Sequence, residues 1–257
     1  MPDIAIKTEK EITIMREAGR RLCAVMDELE KKVQPGISTH ELDKLAEELV
    51  FANGGAPAFK GYGERSNPFP ATICASVNDE IVHGIPSTET VLSEGDILKI
   101  DIGMKYQGFF VDMARTFAVG KISREAQNLI AATEECFWAG VGAMKPGARL
   151  SDYSKAVEGY IKETPYSIVR NLVGHGIGRE LHEEPQIPNF YDGSMPDFEL
   201  EAGMTLALEP MINEGIHQTR IGKDGWVFET ADGKLSAHYE NTILIKEDGV
   251  EVLTISR

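Results

Sequence analysis

Apolar residues recur at helical spacing near the start of the chain. Between residues 8 and 33 they occupy positions 12, 15, 22, 25, 26 and 29, which predicts an amphipathic helix. Thr8 and Glu11 have the spacing of a capping box at its start. The segment QPG then ends the helix. Ser38 with Glu41 predicts a second capped helix, which runs to about Ala52, where NGG follows.

The same order of elements returns later in the chain. A helix is predicted from about Ser123 to Met144, then KPG, then a helix that opens near Ser151 and ends before Pro165, then β-type segments. This order predicts a single α+β domain over residues 1–257, built from two pseudo-repeats of about 8–120 and 121–252. Coincidence is the alternative, because Pro-Gly turns between helices are common. If the duplication is real, a site at the junction draws residues from both halves.

Residues 96–117, DILKIDIGMKYQGFFVDMARTF, have the alternation of a β-hairpin. With the turn centred on Tyr106 and Gln107, Asp101 pairs with Asp112. Like charges directly opposite each other repel, by on the order of 4 kcal/mol at about 4 Å and an effective dielectric of about 20. A shared proton, a basic partner or a divalent cation would compensate, and a bulged loop would instead shift the register. The neighbouring pairs of the predicted register are Ile102 with Val111 and Ile100 with Met113.

The second half contains further groups of the kind that bind metals. His175 lies between glycines in NLVGHGIGRELHEEP, and His182 follows seven residues later. The strand-like runs MTLALEPMI and LSAHYENTILI each place one glutamate, Glu209 or Glu240, among apolar neighbours. Acidic side chains are rarely buried without a partner. Each glutamate alone could be an edge-strand charge, but four carboxylates and a histidine together favour a metal site.

Composition and charge narrow the function classes. The chain has 257 residues, of which 42% are hydrophobic and 26% charged, as in ordinary globular proteins. Its net charge of −15 disfavours binding to bare nucleic acid or to an anionic membrane. There is no signal-peptide pattern and no run of 18 apolar residues. Three widely spaced cysteines disfavour a disulfide framework or a thiolate zinc site. We therefore expect a cytoplasmic protein.

Several motifs in order resemble one family. GHGIGRELHEEP, LALEPMI, KDGW, SAHYENTILI, NDEIVHGIP and the Asp–Asp hairpin are similar to those of the bacterial type I methionine aminopeptidases, in the creatinase/prolidase superfamily. The similarity runs from the first helix to about Val252. It implies the pita-bread fold, a pseudo-two-fold duplicated α+β unit around a curved antiparallel sheet. It also implies metal-dependent removal of the N-terminal methionine from nascent polypeptides whose second residue is small.

The resemblance implies a centre that holds two divalent ions of cobalt, manganese, iron(II) or zinc. Oxygen-rich ligands with one imidazole suit these metals better than copper(I). Their four positive charges would cancel the charge of the four carboxylates, and a metal-bridging hydroxide would attack the first peptide bond. The implied ligands are Asp101, Asp112, His175, Glu209 and Glu240.

The resemblance also implies residues that act on the substrate. Glu209 would carry the proton of the attacking water, while His83 and His182 would contact the scissile amide and stabilise the tetrahedral intermediate. Hydrogen-bonded structural histidines are the alternative for both. The family's motifs contain no counterpart of His40, His217 or His238. His40 is expected to be solvated beside the helix cap.

A methionine side chain requires an adaptable apolar pocket. The residues that match the family's pocket are Tyr62, Phe69, Cys74, Leu181 and Trp226. Ordinary core positions are the alternative, especially for Tyr62. Four additional residues, ERSN at positions 64–67, put the shape of the pocket rim in doubt.

The expected partners are peptides with N-terminal methionine. The protein is expected to be a monomer that associates transiently with ribosomes. The chain shows neither zinc-finger cysteines before its first helix nor the long insertion of the type II enzymes. A proline-directed peptidase, prolidase or aminopeptidase P, is the nearest rival, although such enzymes carry an additional N-terminal domain. A non-catalytic binding protein and a metal-independent, creatinase-like enzyme are disfavoured because all five implied ligands are present.

Overall fold

The computed structural model of the chain describes residues 4–194 and 197–255. Its helices form where the apolar periodicity predicts them. They are α1 Glu9–Glu30, α2 Thr39–Ala52, α3 Arg124–Gly142 and α4 Leu150–Lys162. Both predicted capping boxes are confirmed. The side chains of Thr8 and Ser38 accept hydrogen bonds from the amides of Glu11 and Glu41, and each glutamate accepts one from the amide of its N-cap residue.

Short strands make up much of the remaining described chain. In chain order they are β1 Ala56–Pro57, β2 Ile73–Val77, β3 Glu80–Val82, β4 Ile97–Tyr106, β5 Phe109–Ala118, β6 Ser167–Ile168, β7 Gly174–Gly176, β8 Glu183–Ile187, β9 Thr205–Leu208, β10 Met211–Asn213, β11 Thr219–Ile221, β12 Phe228–Thr230, β13 Ser236–His238, β14 Glu240–Lys246 and β15 Gly249–Val252.

The largest sheet joins the two halves of the sequence. Its strand order is β1-β4-β5-β14-β9-β7-β8, with β2 also paired to β4 and β15 to β14, and all pairs are antiparallel. Two three-stranded sheets, β13-β10-β6 and β11-β12-β3, complete the β structure of the described residues. Because β14 lies between β5 and β9, side chains from both halves meet on the central sheet. The duplication of a unit stays a prediction.

Two large apolar clusters support this sheet, and each takes residues from both halves. The first includes Leu22 and Leu42 of the N-terminal helices together with Leu244 of β14. The second includes Phe137 of α3 together with Ile97 of β4. Burial of each such side chain contributes about 1.5–3 kcal/mol. No helix within residues 4–194 or 197–255 is long and apolar enough to cross a membrane.

Two strand-like runs differ from the prediction. MTLALEPMI is divided into β9 and β10, with Glu209 and Pro210 between the two strands. LSAHYENTILI is divided into β13 and β14, with Tyr239 between them. A proline has no amide to donate to a β ladder, which explains the first division. Glu209 therefore projects from a strand junction, whereas Glu240 is the first residue of β14.

Candidate metal centre

The hairpin of β4 and β5 has a register that differs from the prediction. Asp101 lies opposite Ala114, and Asp112 lies opposite Gly103, so the predicted pairing of the two aspartates is wrong. The turn lies one residue later than predicted and consists of Gln107 and Gly108, whose φ angles are 47° and 91°. Two successive positive φ angles are typical of the type I′ turn. The predicted pairs Ile102 with Val111 and Ile100 with Met113 are replaced by Ile102 with Met113 and Ile100 with Arg115.

The two aspartates nevertheless share one face of the sheet. A register shift of two residues keeps every side chain on its original face, whereas a shift of one would reverse it. Asp101 and Asp112 are therefore diagonal neighbours, and both line the same cavity. The diagonal placement increases the separation of the charges relative to a direct pair.

A row of residues across three strands brings an acid from the second half to the hairpin. Asp101 on β4 lies opposite Ala114 on β5, and Ala114 lies opposite Glu240 on β14. The small side chain of Ala114 leaves space for the two carboxylates on either side of it. Ligand atoms of Asp112, His175 and Glu240 lie within 4.8 Å of one another.

The last two predicted ligands lie on neighbouring elements of the second half. His175 on β7 is opposite Ala207 on β9, and Glu209 follows two residues after Ala207. The distance from His175 Nε2 to Glu209 Oε1 is 3.6 Å. The glycine after His175 is required by close packing, because a Cβ atom on Gly176 would lie 2.1 Å from the carbonyl oxygen of Glu184.

The protonation of the His175 ring is fixed by a backbone contact. Its Nδ1 lies 2.8 Å from the carbonyl oxygen of Gly176. A carbonyl only accepts hydrogen bonds, so Nδ1 carries the proton and the lone pair of Nε2 is available. This is the arrangement by which protein imidazoles bind metal ions.

Several buried polar atoms at this site lack a hydrogen-bond partner among the residues described. They are Asp101 Oδ1, Asp112 Oδ1, Glu240 Oε1, and both ring nitrogens of His238. Buried polar groups are otherwise almost always paired. A divalent cation accepts lone pairs from both carboxylate oxygen and imidazole nitrogen, so the donor set fits a metal centre.

The electrostatics of the protein atoms alone lead to the same conclusion. Burial raises the pKa of Asp112 to about 7. Burial, with neighbouring carboxylates adding to it, raises the pKa values of Asp101, Glu209 and Glu240 well above their usual range. Burial lowers the pKa of His175 to about 3. A bound cation favours the ionised carboxylates and the neutral imidazole, which are the forms that bind metals.

A cavity of about 120 Å³ opens beside these groups. Phe59 also lines it and was not predicted from the sequence. Phe69 and Trp226 contact each other edge to face, with ring centroids 5.2 Å apart. The structure thus brings together all five residues predicted for the methionine pocket, Tyr62, Phe69, Cys74, Leu181 and Trp226, and their contact with substrate stays a prediction.

His83, directly after β3, and His182, directly before β8, also line the cavity. His83 has a φ angle of 61°, which is uncommon for a residue other than glycine, and burial lowers its pKa to about 4. Desolvation also lowers the pKa of His182, whose Nδ1 lies 2.5 Å from the hydroxyl oxygen of Tyr62. Both rings are therefore neutral at pH 7, and neutral imidazole still has one N–H to donate.

His238 is a residue that the sequence reasoning did not place at the site. Its Nε2 lies 3.8 Å from Glu209 Oε2 and 3.9 Å from Glu240 Oε2. The available signal was its position two residues before Glu240, because residues two apart in an extended chain point to the same face. His40 and His217 do not line the cavity.

The additional segment at residues 64–67 contacts the loop that carries Trp226. The side-chain amide of Asn67 donates to the carbonyl oxygen of Asp224 at 3.2 Å. The neighbouring Gly63 approaches Trp226 so closely that a Cβ atom there would lie 2.6 Å from the indole ring. The segment therefore supports the rim of the cavity on the side of Trp226.

Comparisons with known proteins agree with this geometry. Residues 13–247 match the model of "Metallopeptidase family M24". The methionine aminopeptidase of Clostridium perfringens is 48% identical over 254 residues, which cover 98% of this chain and 99% of that protein. The crystal structure of the Thermotoga maritima methionine aminopeptidase has a TM-score of 0.94 at 40% identity and covers 98% of this chain and 100% of its own. A Pyrococcus furiosus prolidase has a TM-score of 0.79 at 26% identity, with 66% of its chain covered.

Proposed function

The chain belongs to metallopeptidase family M24, and we propose that it is a metal-dependent aminopeptidase that removes N-terminal methionine from peptides. It has the pita-bread fold of its structural neighbours. The observation that carries the proposal is the convergence of four carboxylates, three of them buried and Glu209 partly buried, with a buried imidazole on one cavity. We further propose that its substrates are nascent chains whose second residue is small.

Divalent metal ions are the cofactors of this family, and we propose that the protein holds two. The proposed ligands are Asp101, Asp112, His175, Glu209 and Glu240. Such ions would lower the pKa of a bound water and polarise the carbonyl of the scissile bond. Glu240 belongs to both groups of potential ligands, one with Asp112 and His175 and one with Asp101, which supports a centre that would hold two ions. Cobalt, manganese, iron(II) and zinc all suit this donor set.

The protein's own groups move protons and bind the reacting amide. Glu209 lines the cavity, and we propose that its carboxylate accepts the proton of the attacking water and transfers it to the departing amine. The N–H groups of His83 and His182 donate to the scissile amide as negative charge develops on its oxygen. Burial keeps both imidazoles neutral at pH 7. Each therefore acts as a hydrogen-bond donor rather than as a fixed positive charge.

The position of the substrate follows from the two openings at the centre. The cavity of about 120 Å³ has an apolar side formed by Phe59, Tyr62, Phe69, Leu181 and Trp226, which suits the methionine side chain. An open groove of about 620 Å³ shares His83, His175, His182 and Glu209 with that cavity. We propose that the peptide beyond the methionine lies in this groove. The scissile bond then lies where the two openings meet.

The decisive experiment compares two peptides after metal removal. The purified protein is treated with a chelator, restored with manganese, iron(II) or cobalt, and assayed with Met-Ala-Ser and with an Ala-Pro dipeptide. We expect hydrolysis only after metal addition, with strong preference for Met-Ala-Ser. Preference for the Ala-Pro substrate would instead favour a proline-directed peptidase such as prolidase. Activity that survives complete chelation would contradict the metal-dependent mechanism.

We also propose that the enzyme is a cytoplasmic monomer that meets nascent chains at the ribosome transiently and binds neither bare nucleic acid nor membranes. The burial of all three cysteines supports the cytoplasmic setting, and the net charge of −15 supports the absence of nucleic-acid and membrane binding, whereas ribosome docking rests only on the proposed substrate. Co-sedimentation with translating ribosomes at low salt tests the docking, and sedimentation equilibrium tests the monomer. Absence of co-sedimentation would contradict the ribosome proposal and leave the peptidase proposal intact.

A further inference from the structure

His238 is held rigidly at the metal centre without a partner for its side chain. It is the last residue of β13 and is 1% exposed. Its amide donates to Thr116 Oγ1 at 2.9 Å, and its carbonyl accepts from the same hydroxyl at 2.8 Å. Neither ring nitrogen has a hydrogen-bond partner within the described ranges. A buried imidazole with both nitrogens unpaired is costly unless another ligand uses one of them.

The ring is directed at the carboxylates of the centre. Nε2 lies 3.8 Å from Glu209 Oε2 and 3.9 Å from Glu240 Oε2. A nitrogen of His238 and ligand oxygens of Asp101 and Glu240 all lie within 4.8 Å of one another. Two atoms that each bind one ion at about 2.0–2.2 Å are at most about 4.4 Å apart. The distances to the two glutamates satisfy this limit, but they are too long for hydrogen bonds.

We infer that His238 is a sixth protein ligand, which binds through Nε2 the ion held by Asp101 and Glu240. The inference rests on the proposed two-ion centre and extends it. The two groups of potential ligands then each contain one imidazole, His175 in one and His238 in the other. Imidazole favours iron(II), cobalt and zinc relative to manganese or magnesium. The ion held by Asp101, Glu240 and His238 is therefore bound more tightly than it would be by carboxylates alone. Its site also has a different metal preference from a site made only of carboxylates.

The alternative role for His238 is a hydrogen bond to Glu209. In that case a 3.8 Å contact would have to shorten by almost 1 Å, and the residue would position the carboxylate without touching an ion. His238→Gln separates the two roles. The glutamine amide can still donate to Glu209, whereas it is a much weaker ligand than imidazole for iron, cobalt or zinc.

The test uses cobalt(II) and proton NMR of the whole protein, without reference to turnover. The wild-type protein with two equivalents of cobalt is expected to show two hyperfine-shifted ring N–H signals, from His175 and His238. His238→Gln is expected to show one such signal and to bind one of its two ions at least about tenfold more weakly by calorimetry. His217→Gln, a histidine that does not line the cavity, is the matched control and should match wild type.

The outcomes distinguish this inference from the proposed function. Two bound cobalt ions with a single shifted N–H signal in the wild-type protein would overturn the role of His238 and leave the peptidase proposal intact. Unchanged affinity for both ions in His238→Gln would overturn it as well. A wild-type protein that binds no cobalt would overturn both proposals. The wild-type spectrum decides the question even if the variant does not fold.

Discussion

Replacing Asp112 with asparagine is expected to stabilise the metal-free protein and to weaken metal binding. The Asp112 carboxylate is buried and lies within 4.8 Å of a ligand atom of Glu240. Two unit charges at 4.8 Å repel by about 3.5 kcal/mol at an effective dielectric of about 20. Asparagine has nearly the same shape but no charge. The substitution therefore removes this repulsion when no cation is present to compensate for it.

The pKa of Asp112 measures a separate cost of its charge, which comes from burial rather than from repulsion, and sets the pH range of that cost. Burial raises this pKa from 3.8 to about 7 in the folded protein. Between about pH 4 and pH 7 the native state therefore binds more protons than the unfolded state, and the free energy of unfolding falls as pH rises. At about 1.4 kcal/mol per pKa unit, the loss above pH 7 is on the order of 4 kcal/mol.

The net effect is smaller than this loss, because the asparagine amide also requires partners. An unsatisfied buried amide costs about 1–3 kcal/mol. We expect Asp112→Asn to raise the unfolding free energy of the metal-free protein by about 1–3 kcal/mol at pH 8. The advantage should disappear as pH falls toward 4, since the wild-type carboxyl is then protonated.

Urea unfolding of chelator-treated protein at pH 5 and pH 8 measures this difference. Asp248→Asn is the matched control, because Lys246 lowers the pKa of that exposed carboxylate and no stabilisation is expected. Saturating manganese or cobalt should reverse the order, since ligand binding stabilises the wild-type native state by mass action. The repulsion argument is wrong if metal-free Asp112→Asn is less stable than wild type at pH 8 as well as at pH 5.

Three further substitutions and one control substitution test the site and its supports. Asp101→Asn is expected to lower turnover by orders of magnitude with an unchanged circular dichroism spectrum, and full activity would refute its role as a ligand. Tyr62→Phe removes the hydroxyl that contacts His182. It is expected to lower kcat about tenfold with little change in KM, which corresponds to an activation free energy higher by about 1.4 kcal/mol. A change in KM alone would mean that Tyr62 only forms a wall of the pocket. Gly176→Ala is expected to destabilise the protein by more than about 3 kcal/mol, because its Cβ would lie 2.1 Å from a backbone oxygen. Gly159→Ala, on α4 with open space around it, should instead stabilise by about 0.5–1 kcal/mol in the same thermal melt, and equal effects would contradict the steric argument.

The sequence alone determined the local structure well. The N-caps Thr8 and Ser38 and the helices that follow them form as predicted, because capping and apolar periodicity depend on residues within a few positions of one another. The hairpin and the shared face of Asp101 and Asp112 were also predictable, since alternation along a strand is local. The roles of the remaining site residues came from resemblance to a family and not from their own spacing.

Tertiary structure decided the pairing and the full membership of the site. The hairpin register depended on whether Gln107 would adopt a positive φ angle, which few residues do without support from the surrounding structure. The place of His238 could be fixed only when β13 was seen beside Glu209 and Glu240. Likewise, Tyr62 reaches His182, a residue 120 positions away. Such contacts arise from packing between distant segments, and local preferences do not encode which distant side chains will meet.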